Sequence, residues 1–300
     1  MTKVDPYSID EENQLTEDQR IRLFSEALRA KTDESRFRRI RVLHADGAQS
    51  TFDRAAEACL STDPHARMLG ADVLSQLAYR SSKRFWKESI PLLLTLLKDA
   101  NAKVVQSAVF ALGHLGSDHG SEMVNVGREL CRLVDHASAD VREALASGLE
   151  WFPEPADIVQ QTLIALSRDR VGSVRDWACF SLRVQDSFDS VETRDALFAR
   201  LNDRHRDTRW EALAGLAKRA DPRVRDRVLE AVKSGMDEVI LPAFGDILEA
   251  AGRYHDPEIC AALRSAAEEG VYEESRLRDA LALCNEAARP GPHRNPEERN

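Results

Sequence analysis

The chain has 300 residues, of which 43% are hydrophobic, enough for a continuous core, and a formal net charge of −9, which argues against a broad nucleic-acid or anionic-membrane surface. The charge is uneven: −3 over residues 1–16, +3 over 17–88 and −9 over 89–300. The longest apolar run, Ile90 to Leu97, is too short to cross a bilayer and no apolar leader opens the chain, so a cytosolic protein is predicted.

In chain order, residues 1–16 are polar, acidic and aperiodic, and are predicted to be a flexible arm. From residue 17 to 288 two kinds of amphipathic helix alternate. The second of each pair carries a recurring pattern, fullest at Val104 to Gly116. Its first residue, here called the anchor, is β-branched or small and is usually followed by arginine. Small residues follow at anchor plus 4 and plus 7, and leucine at plus 8. Anchors fall at Ser35, Ala66, Val104, Val141, Val174, Thr208, Val239 and Ser275, in steps of 31, 38, 37, 33, 34, 31 and 36 residues. A period in this range indicates stacked repeats, not a globular enzyme with one cleft.

The first helices are clearest at Ile90–Leu97, Ile158–Leu166 and Val224–Val232, where apolar residues recur at helical spacing. Strand signatures are missing. Asp63-Pro64, Asp99-Ala100-Asn101, Asp140, Asp221-Pro222 and Asp256-Pro257 mark the joins as helix caps and first-turn prolines. Residues 289–300, rich in proline, are predicted to be a disordered tail. The five cysteines form no CxxC and lie beside apolar residues, so they read as buried reduced thiols. Arg67, Arg142, Arg175 and Arg209 follow their anchors and predict a ladder, with acids such as Asp140 and Asp207 as partners.

Leu92-Leu93-Leu94-Thr95-Leu96-Leu97-Lys98-Asp99 followed by Val104 to Gly116, and the matching Asp140 to Leu149, resemble the HEAT-repeat family in its short, phycobilisome-lyase-type form. The resemblance covers roughly residues 20–285. It implies an all-α fold, a right-handed α-solenoid of about eight two-helix repeats, with second helices on the concave side. The Val239 copy departs from the pattern, with Ile240 where arginine is usual and Pro242 near the helix start.

At 100° per residue the core positions leave anchor plus 2, 6 and 9 on the opposite face. That face carries Met68, Asp72, Gln106, Phe110, Glu143, Ser147, Glu150, Asp176, Phe180, Arg183 and Trp210, with Trp151 and Trp177 on the flank. Phe110, Phe180 and Trp210 as aromatic anchors, with Glu143, Glu150 and Asp176 around them and Arg183 as the main cation, suit a basic protein segment. The predicted function is therefore a non-enzymatic scaffold that binds a protein in its groove, with no cofactor, no metal and a monomer favoured. The sequence holds no GxGxxG, Walker loop, HExxH or GxSxG, and His114, Asp118 and His119 read as cap and loop residues. Trp151, Asp176, Trp177 and Trp210 also resemble the cleft residues of HEAT-like alkylpurine DNA glycosylases, although the acidic surround opposes a duplex. The repeat subtype suggests a bilin lyase or its chaperone, without a supporting residue set.

Overall fold

Small residues at fixed places in each copy let neighbouring helices approach, and this sets the architecture. In the computed structural model, residues 15–77, 84–119, 122–152, 154–234, 242–272 and 274–287 are described. They form sixteen α-helices and no strands among the described residues. Two compact units divide the chain, Met1–Leu166 and Ser167–Asn300. The predicted arm, for its first fourteen residues, and the predicted tail lie outside the described residues, as does the anchor of the Val239 copy.

The first unit contains α1 (Glu17–Leu28), α2 (Asp33–Asp46), α3 (Gln49–Cys59), α4 (Pro64–Leu74), α5 (Trp86–Leu96), α6 (Ala102–His119), α7 (Val124–Cys131), α8 (Ala139–Gly148) and α9 (Ala156–Leu166). The second contains α10 (Gly172–Val184), α11 (Val191–Phe198), α12 (Arg206–Lys218), α13 (Arg225–Lys233), α14 (Pro242–Ala251), α15 (Pro257–Glu268) and α16 (Glu274–Ala287). Even-numbered helices carry the anchor pattern. Within the first unit α4, α6 and α8 pack in that order; within the second, α10, α12, α14 and α16 do the same. Each unit is a stack of helix pairs, as the repeat period predicts.

The stacking positions explain themselves in packing. Val104, Val141, Val174 and Thr208 are fully buried, and so are Leu112, Leu149, Leu182 and Leu216 eight residues on. Ala108, Ala178 and Ala212 at plus 4 are equally buried. Gly113 of α6 faces Gly148 of α8 so closely that a Cβ on Gly113 would lie 3.2 Å from the Gly148 Cα. Each fully buried leucine contributes roughly 1.5–3 kcal/mol.

Caps appear where the sequence places them. Asp63 accepts from the His65 amide at 2.9 Å, and Asp256 Oδ1 from the amides of Glu258 and Ile259 at 2.9 and 3.1 Å. Pro64 and Pro257 open their helices, where the missing N–H has no helical partner to lose. Asp140 differs: it sits inside the first turn of α8 and pairs with Lys103 at 2.5 Å.

The cysteine reading is corrected. Cys260 and Cys284 form a disulfide between α15 and α16, whose packing brings their Cα atoms to 5.7 Å. Only the fold creates that proximity across 24 residues of sequence. Cys59, Cys131 and Cys179 are free and buried. Among the described residues no helix is long and apolar enough to cross a membrane.

Candidate functional site

The arginine ladder exists, and the acids that join Arg67 and Arg175 are Asp99 and Asp203. Arg67 donates to both carboxylate oxygens of Asp99, at 2.6 and 3.0 Å, and to the carbonyls of Ser61 and Thr62. Arg175 donates to Asp203 from Nε at 2.7 Å and again from Nη2, and to the Asp169 carbonyl at 2.8 Å. Arg142 reaches the carbonyls of His136 and Ala137, and Arg209 those of Asp203 and Arg204. Every rung thus clamps carbonyls five or six residues earlier, in the turn entering its own helix. At Arg67 and Arg175 a carboxylate joins from the turn before the next second helix, because an arginine in the first turn reaches along the stack axis and not along its own helix. Burial pushes the Asp203 pKa up, but hydrogen bonds from Arg175 and the His205 amide outweigh it and leave the carboxyl below its ordinary value.

In the first unit, Phe110 on α6 is 40% exposed. Glu143 on α8 and Glu150 in the 3-10 turn Leu149–Trp151 are half-buried, on elements that pack against α6.

In the second unit, Asp176, Phe180 and Arg183 follow one another along a face of α10 at steps of four and three residues. Trp177 meets Phe180 edge-on with centroids 5.4 Å apart, and the Arg183 guanidinium lies 5.0 Å from the Phe180 ring centre. Arg183 departs from its predicted role as an open groove cation. It is buried, donates from Nε to Glu211 of α12 at 2.7 Å, and pairs with Asp246 of α14. Position plus 9 lies near the helix end, within reach of the next two second helices, and each supplies a carboxylate. Burial pushes the Glu211 pKa up, against the pull of Arg183. Phe180 is half-buried under this arrangement, while the flank residues Trp177 and Trp151 are 38% and 43% exposed.

Trp210 is half-buried and meets Phe244 edge-on at 6.3 Å; Phe244 in turn packs on Tyr272, whose hydroxyl donates to the Val232 carbonyl at 3.0 Å. Trp210 also lines a cleft of about 530 Å³ with Leu201, Arg206, Arg209, Leu213, Arg227, Glu230, Ala231 and Ser234. Sequence reasoning missed this cleft. The signal was present: residues 206, 209, 210 and 213 form one helical stripe and 227, 230, 231 and 234 form another.

Asp176, His205 and Asp207 place one candidate ligand atom each within 4.8 Å of one another. Their spacing in the sequence does not bring them together. His205 is the N-cap of α12, with Nδ1 3.2 Å from the Thr208 hydroxyl, and Asp207 lies in the first turn. Acids there complement the positive end of the helix dipole, which opposes a cation. His119, read from the sequence as a cap or loop residue, ends α6 and stacks on Trp86 at 4.2 Å.

Comparison with known proteins agrees with this geometry. Residues 90–119 match the HEAT repeat, and residues 159–244 match HEAT repeats as a tandem. The chain is 27% identical over 242 residues to protein YibA of Escherichia coli K12, covering 79% of this chain and 82% of YibA. The crystal structure of E. coli YibA superposes with a TM-score of 0.70 at 24% identity, covering 90% of this chain and 93% of that one. Importin beta matches with a TM-score of 0.59 at 12% identity, over 89% of this chain and 41% of that protein. Together with the buried anchors and the stacked helix pairs, these matches show HEAT repeats at residues 90–119 and 159–244 of this chain.

Proposed function

We propose that this chain is a non-enzymatic protein-interaction module that holds a basic segment of a partner on the outer face of its second helices. In the second unit the contact surface is Asp176, Phe180 and Trp210, with Trp177 beside them and the buried Arg183 packed against Phe180. The observation that carries this reading is the Trp177–Phe180 pair set among Asp176, Glu211 and Asp246, with Arg183 already engaged by two of those acids. The aromatic pair supplies apolar contact area, and acids exceed cations around it. Phe110 with Glu143 and Glu150 offers the same chemistry in the first unit.

The test compares capture of protein partners by the wild type and by the Phe180→Ala/Trp210→Ala variant from the source cells. Loss of two aromatic contacts is expected to weaken capture by about 2 kcal/mol or more, with helical circular dichroism unchanged. Equal capture by the two proteins would refute the assignment of this face.

A further inference from the structure

Among the described residues the arginine ladder of the second unit lacks a rung. In the pairs Arg67–Asp99 and Arg175–Asp203, the aspartate stands five residues before the next anchor. For Arg209 that position is Ser234, whose hydroxyl is spent on the Ala231 carbonyl at 2.7 Å. Among the described residues Arg209 therefore bonds neutral oxygens alone, the carbonyls of Asp203 and Arg204 at 2.8 and 3.4 Å.

Arg209 and Ser234 both line the cleft between α12 and α13, together with Arg206, Arg227 and a single acid, Glu230. Arg227 is fixed by the Leu201 carbonyl and Asn202 Oδ1, each at 3.0 Å. Among the described residues none of these three arginines is paired with a carboxylate. Arg175, Arg183, Arg194, Arg200, Arg223 and Arg225 of the same unit each meet at least one. Neutral oxygens hold two of the guanidiniums in place without cancelling their charge, and unused N–H donors remain for an anion. Trp210, Leu201, Leu213 and Ala231 give the same cleft an apolar side.

We propose that this cleft docks an acidic segment of a protein partner. A carboxylate side chain takes the place of the absent rung aspartate at Arg209, and an apolar side chain of the same segment lies against Trp210. The inference rests on the reading of the chain as a protein-binding module; it shares Trp210 with the face proposed above but uses the α12–α13 wall and not α10.

The test is fluorescence anisotropy of the full chain with a labelled peptide of Asp and Glu around one Phe, beside its Asn/Gln counterpart. The acidic peptide should bind at least tenfold tighter than the neutral one and weaken as salt rises. Arg209→Gln should reduce its binding tenfold or more. So should Ser234→Asp, which supplies the rung from within and should leave the fold as stable as before. Phe180→Ala should bind it like the wild type. Equal binding by wild type, Arg209→Gln and Ser234→Asp would overturn the proposal, as would loss in Phe180→Ala alone. Capture of a single-stranded oligonucleotide without the acidic peptide would overturn it in favour of phosphate. Binding that emerges only when Asp237 and Glu238 are changed to Asn and Gln would overturn it too, because the chain's own acids would then hold the arginines.

Discussion

Replacing Arg175 by methionine probes the ladder at a buried rung. The Arg175 and Asp203 side chains are 8% and 3% exposed. Methionine keeps most of the aliphatic packing and removes the guanidinium, with two hydrogen bonds to Asp203 and one to the Asp169 carbonyl. Breaking a buried pair from one side costs about 3–5 kcal/mol, since the remaining charge loses its compensation. Asp203 retains Arg200 at 3.3 Å and the His205 amide at 2.9 Å. The expected loss is therefore near the lower bound, about 3 kcal/mol. Lys103→Met is the control: its pair with Asp140 is 58% and 50% exposed and should contribute less than about 1 kcal/mol. Urea unfolding followed by circular dichroism gives both values from midpoint and slope. Adding Asp203→Asn to Arg175→Met should recover part of the loss. A cost for Arg175→Met no larger than that for Lys103→Met would refute the argument. There is a pH corollary. The folded Asp203 pKa lies below its unfolded value, so its stabilisation is complete above the unfolded pKa and is lost as pH falls through the folded one. Arg175→Met should flatten that acid-side decline.

Two further predictions concern packing and thiols. A Cβ at Gly252, in the 3-10 turn Gly252–Tyr254 after α14, would sit 2.9 Å from the Ala280 Cα and carbonyl carbon, so Gly252→Ala should cost about 1–3 kcal/mol; an unchanged urea midpoint would show that this turn and α16 can separate freely. Burial pushes the Cys59 thiol up to about 12 and raises Cys131 and Cys179 as well. A colorimetric thiol titration should find no reactive cysteine in the native protein, three after unfolding and five after unfolding with reductant; five without reductant would remove the Cys260–Cys284 bond.

The repeats were legible because each anchor helix repeats one packing problem. Val104, Val141 and Val174 had to be buried whatever their neighbours were, and alanine or glycine had to stand where two helices touch. The candidate face was less legible. A helical wheel places Arg183 away from its own helix's core, but not under the carboxylates of two later helices. It likewise predicts exposure for Phe180, which Arg183 partly covers, and gives no reason for Trp177 to remain open. The partners of Arg67 and Arg175 lie about 30 residues away in sequence, while the nearer acids seemed equally suitable. Ser234 gains meaning only beside the rungs Arg67–Asp99 and Arg175–Asp203, which carry an aspartate at its position. The Cys260–Cys284 contact arises from one pair of helices closing, which no spacing rule contains.

The rungs Arg67–Asp99 and Arg175–Asp203 both lean the same way, each cation reaching toward the repeat that follows it in the chain. A stack built like this has unlike ends. Cut after a rung's arginine, the upstream fragment finishes in a long cation that can swing into water. The downstream fragment begins with a short carboxylate set in a closed turn, which has no such escape. Shortening such an array from its start should therefore be harder to tolerate than shortening it from its finish.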